Sequence, residues 1–540
     1  MRAKQKNRQE PAGLKAPPAR SLPFCRFTPS LAFRHFWKGI DKKNRSGVEC
    51  FSSKSNSSTT KTGVPRMDSI RLFVQVFSPV FSAPSFENFR YLMLAWIQTR
   101  GRAWITNFLK AGPFMPKLVP RVNGQTKHFS AFHRFFSRAK WDLDAVGRRL
   151  ALLLAARLYE DRPLVVLVDD TLQHRTGPRI LGAGMHYDNA ESTYGGSKGR
   201  QTRFSFGLNF VTLALWIPVG FVRSGGIAVP VLFRLYRSKK TCPPERYRKR
   251  TKLAADLMEV VRGWWPDRQM LVVGDQEYCC KTVLRACDEQ TELAGSLPMR
   301  SVLYDPEFKQ KARGAKRIWG PRLGSIKELA DDPRYPWKTY LIHMYGKRVQ
   351  LEVKVIQAQW KSAPADRRLT VVLTRDPTGH YDDACFFRLK PDATVRQVLL
   401  PVAARWSLEQ CYRDCKQHMR IESVQNGFMR GSRRADPNQP GPNTSPDREP
   451  TASRRTVPFG MLCYGFVVAW YLIHGRPGED LSRAQTAAPW YTQKATISFR
   501  DMHAAFRRRM AVEQLWQTPS ETGSSPFDTP SEADYVEWTA

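Results

Sequence analysis

The chain has 540 residues, of which 42% are apolar and 11% aromatic. This composition is typical of a globular protein and excludes a wholly disordered chain, and the length allows about two to four domains. The net charge of +38 arises from 86 Lys and Arg against 48 Asp and Glu. An excess of this size favours a polyanionic partner, and its spread along the whole chain favours nucleic acid over a membrane surface.

The N-terminal stretch, residues 1–66, carries 15 Lys and Arg against three acids and is rich in Ser, Asn and Pro. We predict a disordered basic arm, with Met67 as an alternative start of the protein. The stretch contains no apolar run typical of a secretory signal. The ten scattered cysteines form no CxxC pair, which favours reduced thiols in a cytoplasmic protein.

Residues 67–155 are rich in aromatic residues, and their apolar positions recur every three or four residues. This period is typical of helices with one core-facing side. The basic residues between the apolar positions fit a DNA-binding face and an ordinary solvated surface equally well. The period predicts an all-helical N-terminal domain, and DNA binding is the role that we assign to it.

Residues 156–289 have the pattern of an α/β core. The short apolar runs LVVLV (164–168) and MLVVG (270–274) are typical of strands buried on both faces. Between them, RFSFGLNFVTLALWIPV (203–219) predicts one or two antiparallel strands. A basic stretch and an amphipathic helix precede the second apolar run.

Acidic residues follow both apolar runs: Asp169 and Asp170 after the first, and Asp275 after the second. A single aspartate at the end of a strand is more often a turn former or a helix cap than a catalytic group. Of the adjacent pair we select Asp170, because it directly precedes Thr171 at the predicted end of the strand. Asp169 is then a turn residue or a supporting one.

The rest of the chain is predicted to contain five segments. They are a β-rich insertion (290–392), a core helix (393–429), a flexible linker (430–456), a C-terminal helical region (457–515) and a mobile acidic tail (516–540). The apolar segment 457–474 is long enough to raise the question of a membrane span. Because it is short for a span and contains Pro458, we predict a buried core helix and no membrane partner.

In the predicted core helix, Arg405, Glu409 and Lys416 are spaced by four and seven residues. These offsets place the three side chains on one stripe of the helix. A solvated helix with ion pairs is the common explanation of such a stripe. A carboxylate flanked by two cations also suits a site that holds metal and phosphate together.

The combination of Asp170, Asp275 and Glu409 matches what phosphodiester chemistry requires. In-line displacement at phosphorus uses two divalent ions, and a few carboxylates together with the substrate phosphate hold such ions. The carboxyl ends of adjacent strands are where α/β sheets bind ligands. The glycine-rich segment that contains Lys198 and Arg200 is predicted to approach the nucleic-acid backbone.

The segments VDDT, GDQEY and RWSLEQCYRDCK resemble the three acidic blocks of the DDE transposases of bacterial insertion sequences. The third block is similar to the Tyr-Arg-Glu-Lys signature of one group in this family. Arg405, Glu409 and Lys416 match that signature, whereas Val402 occupies the tyrosine position. Tyr412, one turn beyond Glu409, is a candidate replacement. The resemblance extends over residues 70–475.

The resemblance implies an α/β fold with an RNase H-like core, a β-rich insertion, and two Mg²⁺ or Mn²⁺ ions held by Asp170, Asp275 and Glu409. From their places on the helix beside Glu409, Lys416 is expected to contact a DNA phosphate, and Arg405 to contact a phosphate or to orient the carboxylate. A homodimer on paired transposon ends follows from the same resemblance, and the expected location is cytoplasmic and nucleoid-associated.

The expected activity is cut-and-paste DNA transposition, by metal-dependent cleavage and strand transfer. An RNase H-like nuclease without strand transfer and a non-enzymatic DNA-binding descendant are the alternatives. Trp319 and Trp337 lie in the predicted insertion, where stacking on a flipped base is one role and core packing is the favoured one.

Overall fold

The computed structural model describes residues 69–513 apart from a set of gaps, namely 112–120, 123–124, 127, 157, 159–161, 176–179, 189–190, 196–198, 311–312, 345, 380–381 and 425–450. The predicted basic arm (1–66) and mobile tail (516–540) lie outside the described residues, as does the predicted linker up to residue 450.

The described helices are α1 (Ile70–Gln75), α2 (Ala83–Gln98), α3 (Ile105–Ala111), α4 (Ser130–Ser137), α5 (Leu143–Ala155), α6 (Arg250–Trp264), α7 (Lys281–Leu284), α8 (Ile326–Asp331), α9 (Val395–Ala404), α10 (Trp406–Gln417), α11 (Thr451–His474), α12 (Pro477–Ala487) and α13 (Phe499–Val512). Local signals mark several helix starts. Asp142 accepts hydrogen bonds from two backbone N–H groups at the start of α5, and Thr394 forms a capping box with Gln397 at the start of α9.

The described strands are β1 (Arg121–Val122), β2 (Gln125–Thr126), β3 (Leu164–His174), β4 (Gly184–Tyr187), β5 (Thr193–Gly195), β6 (Gly199–Gln201), β7 (Phe204–Pro218), β8 (Gly226–Tyr236), β9 (Met270–Gly274), β10 (Thr291–Leu297), β11 (Val302–Tyr304), β12 (Arg322–Ser325), β13 (Lys338–Met344), β14 (Lys347–Trp360), β15 (Leu369–Arg375) and β16 (Ala384–Arg388). The predicted run 203–219 is thus one long strand, β7.

Twelve strands form one mixed sheet in the order β12-β11-β14-β15-β16-β10-β9-β3-β7-β4, with β13 paired to β14 and β8 paired to β7. At its centre β7 is antiparallel to β3 and β8, while β9 is parallel to β3 and β10. This arrangement confirms the predicted α/β class and is compatible with an RNase H-like core. Because β10 also pairs with β16, the strands of the predicted insertion continue the same sheet.

Strand β3 is longer than the sequence pattern predicts. Its pairing with β7 continues to His174, whereas its pairing with β9 ends where Val168 meets Gly274. Asp169 and Asp170 therefore lie within the strand, beside an edge that β9 no longer covers. The predictions that Asp170 ends the strand and that Asp169 sits in a turn are wrong, because antiparallel pairing with β7 extends the strand past both residues.

The helices cover the sheet and share its hydrophobic core. Helices α5, α10 and α11 all contact β8, and Gly147 lets α5 approach closely, since a Cβ atom there would collide with the carbonyl oxygen of Val231. Helix α11 is long and apolar enough to cross a membrane by length and composition, yet 89% of its apolar 18-residue stretch is buried inside the fold. It occupies the core position predicted for it.

A second, smaller core lies under the β-rich part of the sheet. Apolar side chains of the β13–β14 hairpin pack there against Val395, Val398 and Leu399 of α9. Helix α9 ends at Ala404, directly before α10. The packing of the hairpin on α9 therefore contributes to the placement of α10, which carries Glu409.

Candidate active site

Four carboxylates from three elements gather at the edge of β3 that β9 leaves uncovered: Asp169 and Asp170 from β3, Asp275 from the turn after β9, and Glu409 from α10. The turn after β9 is tight. The carboxylate of Asp275 accepts hydrogen bonds from the backbone N–H groups of Glu277 (2.9 Å) and Tyr278 (3.2 Å).

Gly274 makes that turn fit. A Cβ atom at this position would lie 2.9 Å from the Cβ atom of Tyr278, closer than side-chain carbons normally approach. The glycine lets the chain fold back at the end of β9, which fixes Asp275 and brings Tyr278 towards β3.

On one side of β3, the guanidinium of Arg405 joins two of the carboxylates. It donates to Asp169 at 2.6 Å and to Glu409 at 2.9 Å. Arg405 is 4% exposed, and the next turn of α10 is also buried, where the Tyr412 hydroxyl bonds that of Thr212. This side of the site is a buried, charge-paired unit that ties α10 to β3.

On the other side, Asp170 has three polar partners. Asn209 Nδ2 donates to its carboxylate at 2.7 Å, the Tyr278 hydroxyl at 2.8 Å, and Arg250 Nη1 at 3.1 Å. Arg250 also donates to Glu277 at 2.9 Å, and its side chain is 27% exposed. Successive strand residues point to opposite faces, so α6 and α10 approach β3 from opposite sides.

Burial and neighbouring carboxylates raise the pKa values of Asp169 and Asp275. Burial raises the pKa of Asp169 well above its usual range, and the charges of Asp275, Asp170 and Glu409 add to this, although Arg405 opposes it. Burial also raises the pKa of Asp275, with Arg405 lowering it and Asp170 raising it. The pKa of Asp275 thus depends both on Arg405, on one side of the site, and on Asp170, on the other.

Glu277 extends the acidic group towards solvent. Burial, together with the charges of Asp170 and Asp275, raises its pKa to about 7 even though Arg250 opposes the shift. Five carboxylates, of residues 169, 170, 275, 277 and 409, share the two guanidinium groups of Arg250 and Arg405. Negative charge is therefore in excess at this edge of the sheet.

Lys416 lies at the far end of α10, beside the same strand. Its ammonium group donates to the carbonyl oxygen of Leu172 at 3.0 Å and forms an ion pair with Glu422 at 3.1 Å. His174 bridges Glu422 (3.2 Å) and Asp188 (2.6 Å). These contacts attach the end of α10 to β3 through a second ionic network.

The other predicted contact residues have different placements. Lys198 and the side chain of Arg200 lie outside the described part of the chain, and Arg405 has the carboxylate-orienting geometry that was one of its two predicted roles. Val402 is buried in α9. Tyr412, the candidate replacement for the missing tyrosine, is also buried.

The two tryptophans of the predicted insertion differ in their surroundings. Trp337 lies between the cations of Arg375 (4.1 Å) and Lys354 (5.0 Å). Lys354 is itself buried and donates to carbonyl groups at the end of α8, so Trp337 is part of the packing. Trp319 is half-buried beside Tyr304.

Arg250, Asn209 and Tyr278 are the site residues that sequence reasoning missed. Tyr278 stands in the GDQEY segment, three residues after Asp275, so the motif itself contained a signal. Asn209 and Arg250 come next to Asp170 only through the pairing of β7 with β3 and the start of α6. No spacing in the sequence links them.

The residues present fit a divalent cation by charge rather than by a preformed cage. Among the described residues, no three Asp, Glu, His or Cys side chains already surround one point as metal ligands do. Oxygen donors in excess over internal cations are what Mg²⁺ and Mn²⁺ prefer. A cation would relieve the mutual repulsion that raises the pKa values of Asp169 and Asp275.

A mixed sheet with carboxylates gathered from two adjacent parallel strands and one helix defines the class, an α/β protein with a nuclease-like acidic site. Residues 117–378 match the family described as DDE superfamily endonuclease. The predicted resemblance to DDE transposases is confirmed over the matched residues, which do not include the block that carries Arg405, Glu409 and Lys416. The match includes Asp169, Asp170 and Asp275 and ends before Val402.

No curated protein matches the chain.

Proposed function

We propose that the protein is a transposase that cuts DNA at transposon ends and joins the freed ends to a target by strand transfer. The observation that carries this proposal is the cluster of carboxylates from three separate elements, β3, the turn after β9 and α10, at one edge of the sheet. The match of residues 117–378 to the DDE superfamily endonucleases supports DNA as the substrate. We propose a homodimer on paired ends as the working assembly.

We assign metal binding to Asp170, Asp275 and Glu409, and a positioning role to Asp169. Asp169 and Glu409 share the guanidinium of Arg405, whose side chain is 5% exposed, and Asp169 has the shorter of the two contacts (2.6 Å against 2.9 Å). The cation on Asp170 is the more exposed Arg250, whose side chain is 27% exposed. Asn209 and Tyr278 then remain as donors that orient the Asp170 carboxylate.

Divalent ions, when bound, supply activation of the attacking oxygen and stabilisation of the leaving one. In the first reaction, water attacks a phosphodiester, and the bond from phosphorus to the 3′-oxygen breaks to leave a 3′-hydroxyl and a 5′-phosphate. In the second, that 3′-hydroxyl attacks a target phosphodiester and displaces a target 3′-oxygen. Arg405 holds Glu409 in place throughout, and Lys416 holds the end of α10 against β3.

The test is cleavage and joining by the purified full chain. Supercoiled plasmid carrying the DNA that flanks the gene is incubated with Mg²⁺ or Mn²⁺, and labelled 3′-hydroxyl ends are scored for covalent transfer into a second plasmid. We expect both products with wild type and neither with Glu409→Gln. Glu307→Gln, a surface variant with the same loss of charge, should behave as wild type.

The outcomes separate the alternatives. Cleavage without transfer of ends identifies a nuclease. DNA binding without metal-dependent cleavage by wild type identifies a non-enzymatic DNA-binding protein and overturns the proposal. Full cleavage by Glu409→Gln removes Glu409 from the site.

A further inference from the structure

The connection between β8 and α6 carries a run of cations next to the candidate active site. Residues 237–250 contain seven Lys and Arg and one acid, Glu245. Five of these cations are exposed, at Lys239, Lys240, Arg246, Arg248 and Lys249. In the part of the chain that the structure describes, none of Lys239, Lys240, Arg248 and Lys249 forms an ion pair with a carboxylate.

Buried residues anchor the first part of this connection to the fold. Arg237 is buried and donates to the carbonyl oxygen of Thr241, while Cys242 and Pro243 are buried beneath the surface. A single 3₁₀ turn, Pro244–Arg246, follows. The exposed cations are therefore presented from an ordered segment, so little conformational freedom is lost when they contact a ligand.

Two tyrosines join the cations to the active site. The rings of Tyr236 and Tyr247 lie 6.5 Å apart, Lys239 lies over Tyr247 at 5.6 Å, and Arg250 lies over Tyr236 at 5.7 Å. Arg250 is also the residue that binds Asp170. A chain of contacts through Tyr247, Tyr236 and Arg250 thus joins the exposed cations to Asp170.

We propose that Lys239, Lys240, Arg248 and Lys249 form a phosphate-binding ridge, the β8–α6 ridge, which seats the backbone of the substrate DNA beside Asp170. Phosphate contacts fix the register and orientation of DNA without reading its sequence. The ridge therefore sets which phosphodiester faces the carboxylates. The choice of DNA as the partner rests on the proposed function, whereas the location of the ridge rests on the contacts above.

The test measures how DNA binding depends on salt. The full chain with Glu409→Gln is titrated with a double-stranded oligonucleotide in EDTA at several salt concentrations, with and without K239Q/K240Q/R248Q/K249Q. Each lost phosphate contact reduces the slope of log affinity against log salt by about 0.9, so we expect a reduction of about 3 to 4. The control K327Q/K338Q/R348Q/R396Q removes the same charge from exposed positions elsewhere and should change the slope by less than about 1.

A charge-conserving variant excludes a merely structural effect. K239R/K240R/R248K/K249R should keep the parent slope, with circular dichroism and melting temperature unchanged in all variants. Equal slopes for the ridge and control variants overturn the proposal, as does a loss of slope in the charge-conserving variant. Absence of DNA binding by the parent protein also overturns the proposal. Polyglutamate is titrated in the same way as a model of an acidic protein. A ridge variant that loses binding to polyglutamate but keeps its DNA binding overturns the proposal and identifies an acidic protein partner instead.

The outcome for the ridge is distinguishable from the outcome for the proposed function. The ridge is measured by binding in a cleavage-deficient chain without metal, and the function by cleavage and joining in wild type. A transposase whose ridge variant binds DNA normally disproves the ridge alone. A wild type that binds DNA through the ridge but never cuts disproves the function alone.

Discussion

The two sides of β3 hold their aspartates in different ways. Asp169 shares a guanidinium with Glu409, and that guanidinium, of Arg405, is almost fully buried. Asp170 is bound by two neutral donors and by Arg250, which reaches the surface. Adjacent residues of one strand thus lie in a closed ionic unit and in an open, adjustable one.

This difference has a physical consequence for the site. Removing one partner from a buried ion pair leaves an uncompensated charge in a poorly solvated place, whereas a partly exposed pair is replaced by water at little cost. The Asp169 side is therefore suited to fixing the helix that carries Glu409. The Asp170 side is suited to exchanging its cation for another one.

The largest expected effect comes from replacing each of the two aspartates separately with asparagine. Asp170→Asn should reduce metal-dependent cleavage to background while leaving the melting temperature close to that of wild type, because Asn209 and Tyr278 remain. Asp169→Asn should lower the melting temperature and reduce cleavage without abolishing it, since Arg405 loses one of its carboxylates. Plasmid cleavage and thermal unfolding measure the two effects. If Asp169→Asn abolishes cleavage and Asp170→Asn lowers the melting temperature instead, Asp169 is the metal ligand and Asp170 the positioning residue.

The two arginines provide the next test of the comparison. Arg405→Gln should lower the free energy of unfolding by about 3 kcal/mol, because two largely buried carboxylates lose the buried cation that they share. Arg250→Gln should lower it by less than about 1 kcal/mol, since its side chain is partly exposed and water replaces the lost contact. Urea unfolding at neutral pH measures both values. Equal losses of unfolding free energy in the two variants would mean that the Asp169 side and the Asp170 side of β3 do not differ in how strongly their ion pairs stabilise the fold.

A smaller effect is expected from the hydroxyl group of Tyr278. Tyr278→Phe removes one donor to Asp170 but keeps the ring, and loss of such a supporting contact weakens metal affinity by about 10-fold. Titration of Mn²⁺ by calorimetry measures the change. Tyr340→Phe, in β13, is the matched control. An unchanged affinity in Tyr278→Phe would argue that Asp170 does not hold the metal.

The sequence was sufficient to predict the class of fold and the elements that carry the acids. Continuous apolar runs predict β3 and β9, because strands buried on both faces need apolar residues at every position. The spacing of Arg405 and Glu409 predicts their contact, since residues four apart on a helix are neighbours. The family match confirms the resemblance over the region that contains the aspartates.

The partners of the two aspartates could not be predicted in the same way. Asn209 meets Asp170 through the register of β7 on β3, and Arg405 meets Asp169 through the packing of α10 across the sheet. Both contacts join residues far apart in the sequence. The end of β3 was also placed too early, because polar residues interrupt the apolar run while the pairing with β7 continues.

The smallest expected effect concerns His174, four residues beyond Asp170. Hydrogen bonds to Asp188 and Glu422 raise the pKa of His174 from 6.5 to about 9, although burial opposes the shift. A histidine whose pKa is raised in the folded state stabilises the protein fully below pH 6.5, and this contribution is lost as the pH rises through about 9. Because the side chain is 39% exposed, the contribution is no more than about 1 kcal/mol.

His174→Gln tests this contribution, because glutamine keeps a hydrogen-bond donor and does not titrate. Between pH 6.5 and 9 the wild type should lose more stability than the variant, measured by urea unfolding at several pH values. Asp188 and Glu422 do not titrate in this interval, since their hydrogen bonds with His174 lower both carboxyl pKa values, against burial, which raises them. Parallel pH profiles for the two proteins would mean that the open side of β3 gains no stability from the histidine charge.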